Sequence, residues 1–261
     1  MRIVVCVKQV PDTTEVRIDP VKNTLIREGV PSIVNPFDEC AMEAALRFRR
    51  DYGGTVVALS MGPPQAEAAL RKCLAMGADE AVLISDRAFA GADTLATSFA
   101  LARAIAKIGA DLIFCGKMAI DGDTAQVGPG IAEHLGLTQV TNVQKIREAR
   151  ADYLMVERVC EGGYELVRAS RPVLLAVEKT IGEPRYPSVK ASVRARRAAI
   201  TAWNAADIEA PEEKIGLNGS PTQVTRIFTP ETRRRSEMLE AATAEGLCDL
   251  LLAKLRDAEI I

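Results

Sequence analysis

Short apolar runs alternate with helix-spaced segments through the first two-thirds of this chain, and no other feature constrains its fold as strongly. Arg2–Val7, Thr55–Ser60, Glu80–Ser85 and residues 111–115 read as strands. Residues 38–52, 65–76 and 93–108 between them carry helical spacing. In the first of these, Ala41, Ala45, Leu46 and Phe48 fall on one side, and Asp38 is placed to cap the helix. Gly77 stops the second, and Asp93 or Thr94 can cap the third. Repeated β-α-β units predict an α/β fold: a parallel sheet with helices on both faces. Ligands of such sheets bind at the carboxyl ends of strands. The loops after Val7, Ser60, Ser85 and Cys115 are therefore where chemistry is expected.

The last of these loops is the most informative. Leu112, Ile113, Phe114 and Cys115 form a buried run that ends at Gly116, and DGDTAQ follows before a small-residue helix start near Val127. A strand, a loop and a helix N-terminus make an anion cradle, because unpaired N–H groups and the positive helix end favour phosphate. Gly122 is expected to allow an unusual backbone angle, and Thr124 and Gln126 offer side-chain donors. Three further pieces converge on the same end of the sheet: VNPFDE (34–39), SMGPP (60–64) and GADTLATS (91–98). In the last, Thr94 and Thr97 could face a diphosphate or a flavin edge, though taken alone the segment reads first as a plain helix cap, a very common motif.

Other chemistries find little support. There is no Walker A sequence, no GxGxxG and no GxSxG elbow, and the chain has one histidine, His134. The six cysteines form no CxxC pair and suggest neither zinc nor an iron–sulfur cluster, so no metal site and no catalytic residue is assigned. Charge is balanced, 33 basic against 35 acidic residues, and aromatics make up 4%, which argues against nucleic acid as a partner. No apolar run nears the ~20 residues of a membrane span, and the start lacks a signal-peptide pattern, so a cytoplasmic protein without membrane insertion is expected.

Residues 9–37 form a long insert with two extended stretches, EVRID and NTLIREG, turning at Asp19-Pro20 and Glu28-Gly29; a small hairpin over the sheet edge is predicted. After residue 138, TNVQKIREA, DYLMVERV, YELVRAS and PVLLAVEK read as successive strands, with a turn at Glu161-Gly162-Gly163. The pattern lapses from Gly182. Residues 204–235 read as an extended arm, and a final helix over 236–257 carries Leu247, Leu250, Leu251 and Leu255 on one face. The arm has too little core of its own and is expected to pack on a partner subunit; folding back on its own domain is the alternative.

VCVKQVPD, NPFDECAMEAALR, SMGPP, CLAMGAD, GKMAIDGDTAQVGP and EPRYPSV, in this order and spacing, resemble the beta (small) subunit of electron-transfer flavoprotein over essentially the whole chain. The resemblance implies a Rossmann-like adenine-nucleotide-binding domain over 1–185, with β-hairpin additions. It also implies a partner-recognition loop and an extended C-terminal arm over 186–261, the arm wrapping an alpha subunit. It places the cofactor on Cys6, Asn35, Pro36, Phe37, Asp38, Met61, Thr94, Thr97, Gly116, Asp121, Gly122, Asp123, Thr124, Ala125, Gln126 and Val127. Partner recognition falls at Tyr186, Pro187, Ser188 and Val189, within a loop running to Arg196, with Val189 as the apolar anchor. Val159, flanked by Glu157 and Glu161, stands where the family carries an acidic docking residue.

Two kinds of beta subunit exist in the family, one holding structural AMP and one holding a second FAD. VPDTTEVRID, the ADTLAT threonines and DGDTAQVGP resemble the second, electron-bifurcating kind. That kind implies FAD taking hydride from NADH. One electron then passes to the alpha-subunit FAD, towards an acyl-CoA dehydrogenase or quinone-linked oxidoreductase, and one to ferredoxin or flavodoxin. The AMP-holding kind shuttles electrons from dehydrogenases without bifurcation.

Overall fold

The computed structural model describes residues 1–12, 31–225 and 237–261, and residues 17–19 and 24–26 by backbone alone. It divides into a compact unit, Met1–Thr225, and a second unit, Arg226–Ile261. The compact unit thus runs some way past the boundary expected after residue 185.

In chain order the first unit contains β1 (Arg2–Cys6), β2 (Gln9–Pro11), β3 (Arg17–Asp19), β4 (Thr24–Ile26), β5 (Ser32–Val34), α1 (Pro36–Tyr52), β6 (Thr55–Met61) and α2 (Glu67–Met76). There follow β7 (Glu80–Ile84), α3 (Thr94–Ile108), β8 (Leu112–Gly116), α4 (Val127–Leu135), β9 (Thr138–Ala149), β10 (Tyr153–Cys160), β11 (Gly163–Ser170), β12 (Val173–Val177), α5 (Val189–Arg197) and β13 (Thr201–Trp203).

Nine strands make one sheet in the order β11-β10-β9-β12-β8-β1-β6-β7-β13. The run from β9 to β13 is parallel, and β10 pairs antiparallel with both β9 and β11. Apolar side chains on both faces of the central strands explain the parallel arrangement: Ile3, Val4 and Val5 are all fully buried, as are Leu112, Ile113 and Phe114. One core lies under α1, α2 and α5, the other under α3 and α4. The chain leaves β1 towards β6 and β7, then returns to β8 on the other side of β1. The order reverses between β1 and β8, and a crevice opens outside their carboxyl ends, the position where such sheets take ligands.

Helix α1 starts two residues before the position expected from Asp38. Pro36 occupies its first turn, where the fixed φ suits the helix and no N–H is needed, so Asn35 is the cap residue. Asp38 lies inside the first turn and is not the cap; its carboxylate is engaged elsewhere, as described below. Helix α2 follows a single 3-10 turn, Pro64–Ala66, and ends at Gly77 with φ 128. Of the insert, β3 and β4 pair antiparallel as the expected hairpin, and β2 pairs with β5. The two turns expected there lie outside the described residues.

Residues 204–225 do not extend away from the sheet. β13 adds a ninth strand beside β7, and Ile208 and Ile215 are buried in the core under α3. Side chains hold this stretch. Asp86 accepts from the Ala205 N–H at 3.1 Å, and Asp93 accepts from both the N–H and the hydroxyl of Thr222. In the second unit, α6 (Ala244–Asp257) starts at the Thr243 cap, eight residues later than expected, and Leu247, Leu250, Leu251 and Leu252 are exposed on it. Among the described residues no helix is long and apolar enough to cross a membrane.

Candidate functional site

The crevice is built from the ends of β1, β6 and β8 and the starts of α1, α3 and α4. β1 ends at Cys6, directly opposite Cys115 in β8, and both thiols are buried. Past β1 the chain reaches Lys8; past β8 it reaches Gly116 and the loop to Gln126.

Two side chains from the start of α1 tie these loops together. Asn35, 1% exposed, donates from Nδ2 to the Met118 carbonyl at 2.8 Å, and its Oδ1 accepts from the Ile120 N–H at 3.3 Å. Asp38, 6% exposed, accepts from the Lys8 N–H at 2.8 Å and from the Gly116 N–H at 3.2 Å. Burial pushes the Asp38 carboxyl up to about 7, against the opposing pull of the hydrogen bonds from Lys8, Asn35 and Gly116 and of the Lys8 charge. Gly116 must lack a side chain: a Cβ there would stand 2.3 Å from Asp38 Oδ1 and 2.6 Å from Phe37 Cβ.

Beyond Ile120 the loop opens. Asp121, Gly122, Asp123, Thr124 and Gln126 are exposed, and Ala125 and Val127 are half-buried. Its shape does not come from Gly122, which stays out of the left-handed region. Asp123 (φ 49) and Ala125 (φ 53) adopt that conformation instead, at some cost for residues bearing a Cβ. Among the described residues no side chain caps α4, whose first turn offers the Val127 and Gly128 N–H groups; Pro129 has none, and the Gly130 N–H donates to the Gln126 carbonyl. Helix α3 differs. Asp93 accepts from the Leu95 and Ala96 N–H groups, so its N-terminus already holds a carboxylate. An anion is therefore suited to α4 rather than α3. Thr94, at the start of α3, reaches the loop through a 2.9 Å hydrogen bond from its hydroxyl to Gln126 Oε1, and Thr97, half-buried, lies one turn further on.

A cavity of 340 Å³ adjoins the crevice between β2, β5 and the loop after β6, lined by Lys8, Gln9, Val10, Met61, Gln65 and Asp121 among others. Lys8 Nζ and Asp121 Oδ1, 2.7 Å apart, stand on its rim. Lys8 is the functional candidate that sequence reasoning passed over. The signal was available, since it lies at a carboxyl strand end, but a lone lysine after VCV carries no motif.

The structure thus gathers Cys6, Asn35, Pro36, Phe37, Asp38, Met61, Gly116, the 121–127 loop and Thr94 around one end of the sheet. Tyr186, Pro187, Ser188 and Val189 lie apart from it. Tyr186 is 98% exposed and Val189 83%, and Ser188 caps α5 by accepting from the Ala191 N–H. This segment is rooted on Glu43 of α1. The buried Glu43 carboxylate accepts from Arg185 Nε at 2.7 Å, from Arg185 Nη2 and N–H, and from Arg47 Nε at 2.8 Å. Val159 sits next to the β10–β11 turn opposite Tyr164, while Glu157 is buried against Arg147.

Residues 22–208 match the electron transfer flavoprotein domain. The chain is 54% identical over 252 residues to the electron transfer flavoprotein subunit beta of Thermoanaerobacterium thermosaccharolyticum, covering 96% of each chain. It is 52% identical to the subunit beta of Clostridium acetobutylicum over 261 residues and 51% identical to subunit CarD of the caffeyl-CoA reductase–Etf complex of Acetobacterium woodii over 265, covering 100% of each chain in both cases. The chain therefore belongs to the electron transfer flavoprotein family, as a beta subunit.

Proposed function

We propose that this beta subunit pairs with an alpha subunit and holds FAD in the crevice outside β1 and β8, as the NADH-oxidising half of a bifurcating electron-transfer flavoprotein. One observation carries the choice of FAD over AMP. The 340 Å³ cavity is lined by Lys8 and Asp121 at the start of the 121–127 loop, and the same loop carries the Thr94–Gln126 hydrogen bond and the α4 N-terminus at its other end. A mononucleotide needs only part of that space. Likeness to the CarD subunit, whose complex is named for caffeyl-CoA reductase, supports the same reading.

The residues fit such a group by their chemistry. The free N–H groups of α4 suit a diphosphate, Lys8 supplies a cation beside it, and Thr94 and Thr97 offer hydroxyls on the far side of the loop. When bound, FAD would supply the redox step: hydride taken from NADH, then one electron each to the alpha-subunit FAD and to ferredoxin or flavodoxin. The chain's own part is to bind, orient and exclude water. Tyr186 and Val189 form the surface offered to an acyl-CoA dehydrogenase or quinone-linked partner, and the 226–261 unit is the arm that packs on the alpha subunit.

Denaturing the purified heterodimer and assaying released FAD and AMP tests this. Two FAD and no AMP per heterodimer is the expected result. One FAD with one AMP would leave the family and partner standing and make this chain the structural, AMP-holding subunit of a simple shuttle. In the second test, replacing both Thr94 and Thr97 by Ala should lower flavin retention about tenfold, the scale of one to two hydrogen bonds. The heterodimer should stay intact on gel filtration. Unchanged flavin content would remove the role given to these threonines.

A further inference from the structure

Asp38 is a poor candidate for a ligand contact and a good one for something else. Both its oxygens are turned towards protein N–H groups, one on each side of the point where strand order reverses. Lys8 and Gly116 are far apart in sequence, and the β1–β8 pairing holds their strands together only as far as Cys6 and Cys115. Beyond that pair, the links seen between the loops are made through the α1 start and the Lys8–Asp121 ion pair. Asn35 accepts and donates on the same β8 loop, and the Asn35 N–H donates to the Lys8 carbonyl at 2.9 Å. A carboxylate can accept from two N–H groups at once. A carboxylic acid carries a proton on one oxygen, which is then the weaker acceptor, so one of the two N–H contacts is weakened.

We infer that Asp38 is the positioning residue of this site: its ionised carboxylate sets the Lys8 and Gly116 loops in register, and nucleotide is held firmly only while Asp38 is charged. The inference rests on the reading of the crevice as a nucleotide site and adds its pH control.

The surroundings leave Asp38 as the group that titrates. Lys8 acts on it from the end of β1, and its own charge is felt by Cys115 of β8, by Cys40 of its own helix and by Cys73 of α2; Glu39 follows it directly in α1. Burial pushes the Cys73 thiol up to about 12 and raises Cys40, while Cys115 is raised first by its contact with Cys6 and then by burial; these three thiols stay neutral through the physiological range. Glu39 is paired with Lys72 and Glu43 with Arg47 and Arg185. Lys179 lies over the Phe37 ring, 4.6 Å from its centroid. The Lys8 charge favours the ionised form of Asp38. With the Asp38 carboxyl raised to about 7, the change falls at neutral pH.

The sign is fixed by the geometry. Binding requires the ionised form, so apparent affinity should be flat above about pH 7 and fall by about tenfold per pH unit below it. Stability without nucleotide should move the other way. A carboxyl raised above its ordinary 3.8 binds more protons when folded, so its contribution is present at low pH and is lost as pH rises to about 7.

The test is the dissociation constant of FAD, and separately of AMP, for the nucleotide-depleted heterodimer from about pH 5.5 to about pH 8.5. The wild-type complex is expected to weaken on the acid side. Asp38→Asn should bind at least about tenfold more weakly at the alkaline end and show no pH dependence, because an amide cannot accept both N–H groups. Lys8→Gln, which removes the favourable charge, should shift the wild-type midpoint to higher pH. That variant keeps the test open should Asp38→Asn fail to fold. A wild-type affinity that is independent of pH, or tighter in acid, overturns the inference, as does Asp38→Asn retaining the wild-type profile. A complex that takes up neither nucleotide at any pH instead overturns the reading of the site beneath it.

Discussion

Gly116→Ala is expected to destabilise the protein by about 3 kcal/mol, the upper part of the range for forcing a methyl into a packed interior. The added carbon would lie 2.3 Å from Asp38 Oδ1, 2.6 Å from Phe37 Cβ and 2.8 Å from the Phe37 backbone carbon. Two of those three atoms belong to the buried Phe37, which the first turn of α1 holds in place, so the neighbour that can yield is the Asp38 carboxylate. Moving it strips the acceptor from the Gly116 and Lys8 N–H groups and leaves a buried charge with fewer partners. The melting temperature should fall by roughly 6–12 °C, the scale for a domain of this size. Nucleotide retention should fall with it, because both loops of the crevice lose their common anchor. Gly122→Ala, in the same loop, is the internal control. Nothing stands within 4 Å of its Cβ position and its φ is ordinary, so it should change stability by less than about 0.5 kcal/mol. Equal effects at 116 and 122, read by thermal melting and by released nucleotide, would mean that glycine content rather than packing against α1 matters here.

The contrast between these glycines marks how far the sequence could be read. Strand and helix alternation was legible because burial on both faces leaves uninterrupted apolar runs such as Leu112–Cys115, and a run of that kind carries its own signature. The site's place at the carboxyl strand ends followed from topology. What was not legible is where polar side chains reach across the fold. Asp38 after Asn-Pro-Phe reads locally as a helix cap, and only the folded chain brings Lys8 N–H and Gly116 N–H to it. Gly122 reads as the flexible point of its loop, yet Asp123 and Ala125 take the left-handed angles, because the turn closes on Ala119: the Gly122 and Asp123 N–H groups both donate to its carbonyl. The stretch 204–225 reads as an arm because it is polar and turn-rich. Its attachment rests on two buried isoleucines and on the Asp86 and Asp93 carboxylates, contacts of more than a hundred residues' separation that have no period in the sequence.

Glu43→Gln should cost about 2 kcal/mol, and its more telling effect should be on partner recognition. Glu43 is 4% exposed and accepts from two guanidinium groups, so removing its charge leaves Arg185 and Arg47 facing one another without a shared counter-ion. Breaking a fully buried pair costs ~3–5 kcal/mol; both arginines here are about two-fifths exposed, and water offsets part of that loss. Burial pushes the Glu43 carboxyl up, but the hydrogen bonds from Arg185 and Arg47 outweigh it and hold the group below its ordinary 4.5. The stabilisation is therefore present above pH 4.5 and is lost as pH falls through the lower folded value, so wild type and Glu43→Gln should converge in strongly acid solution. Arg185 is followed at once by Tyr186, and Ser188 opens α5 with Val189 and Val193 exposed on it. Loosening Arg185 frees the root of this segment without touching the exposed side chains themselves. If Tyr186 and Val189 recognise the dehydrogenase, Glu43→Gln should weaken electron transfer to it as a rise in KM with kcat little changed, while flavin content stays at the wild-type level. An Arg185→Gln, Glu43→Gln pair should lose no more than either single variant, since both remove one interaction. Additive losses in that cycle, or a fall in flavin content with KM unchanged, would show that Glu43 serves the crevice rather than the recognition segment.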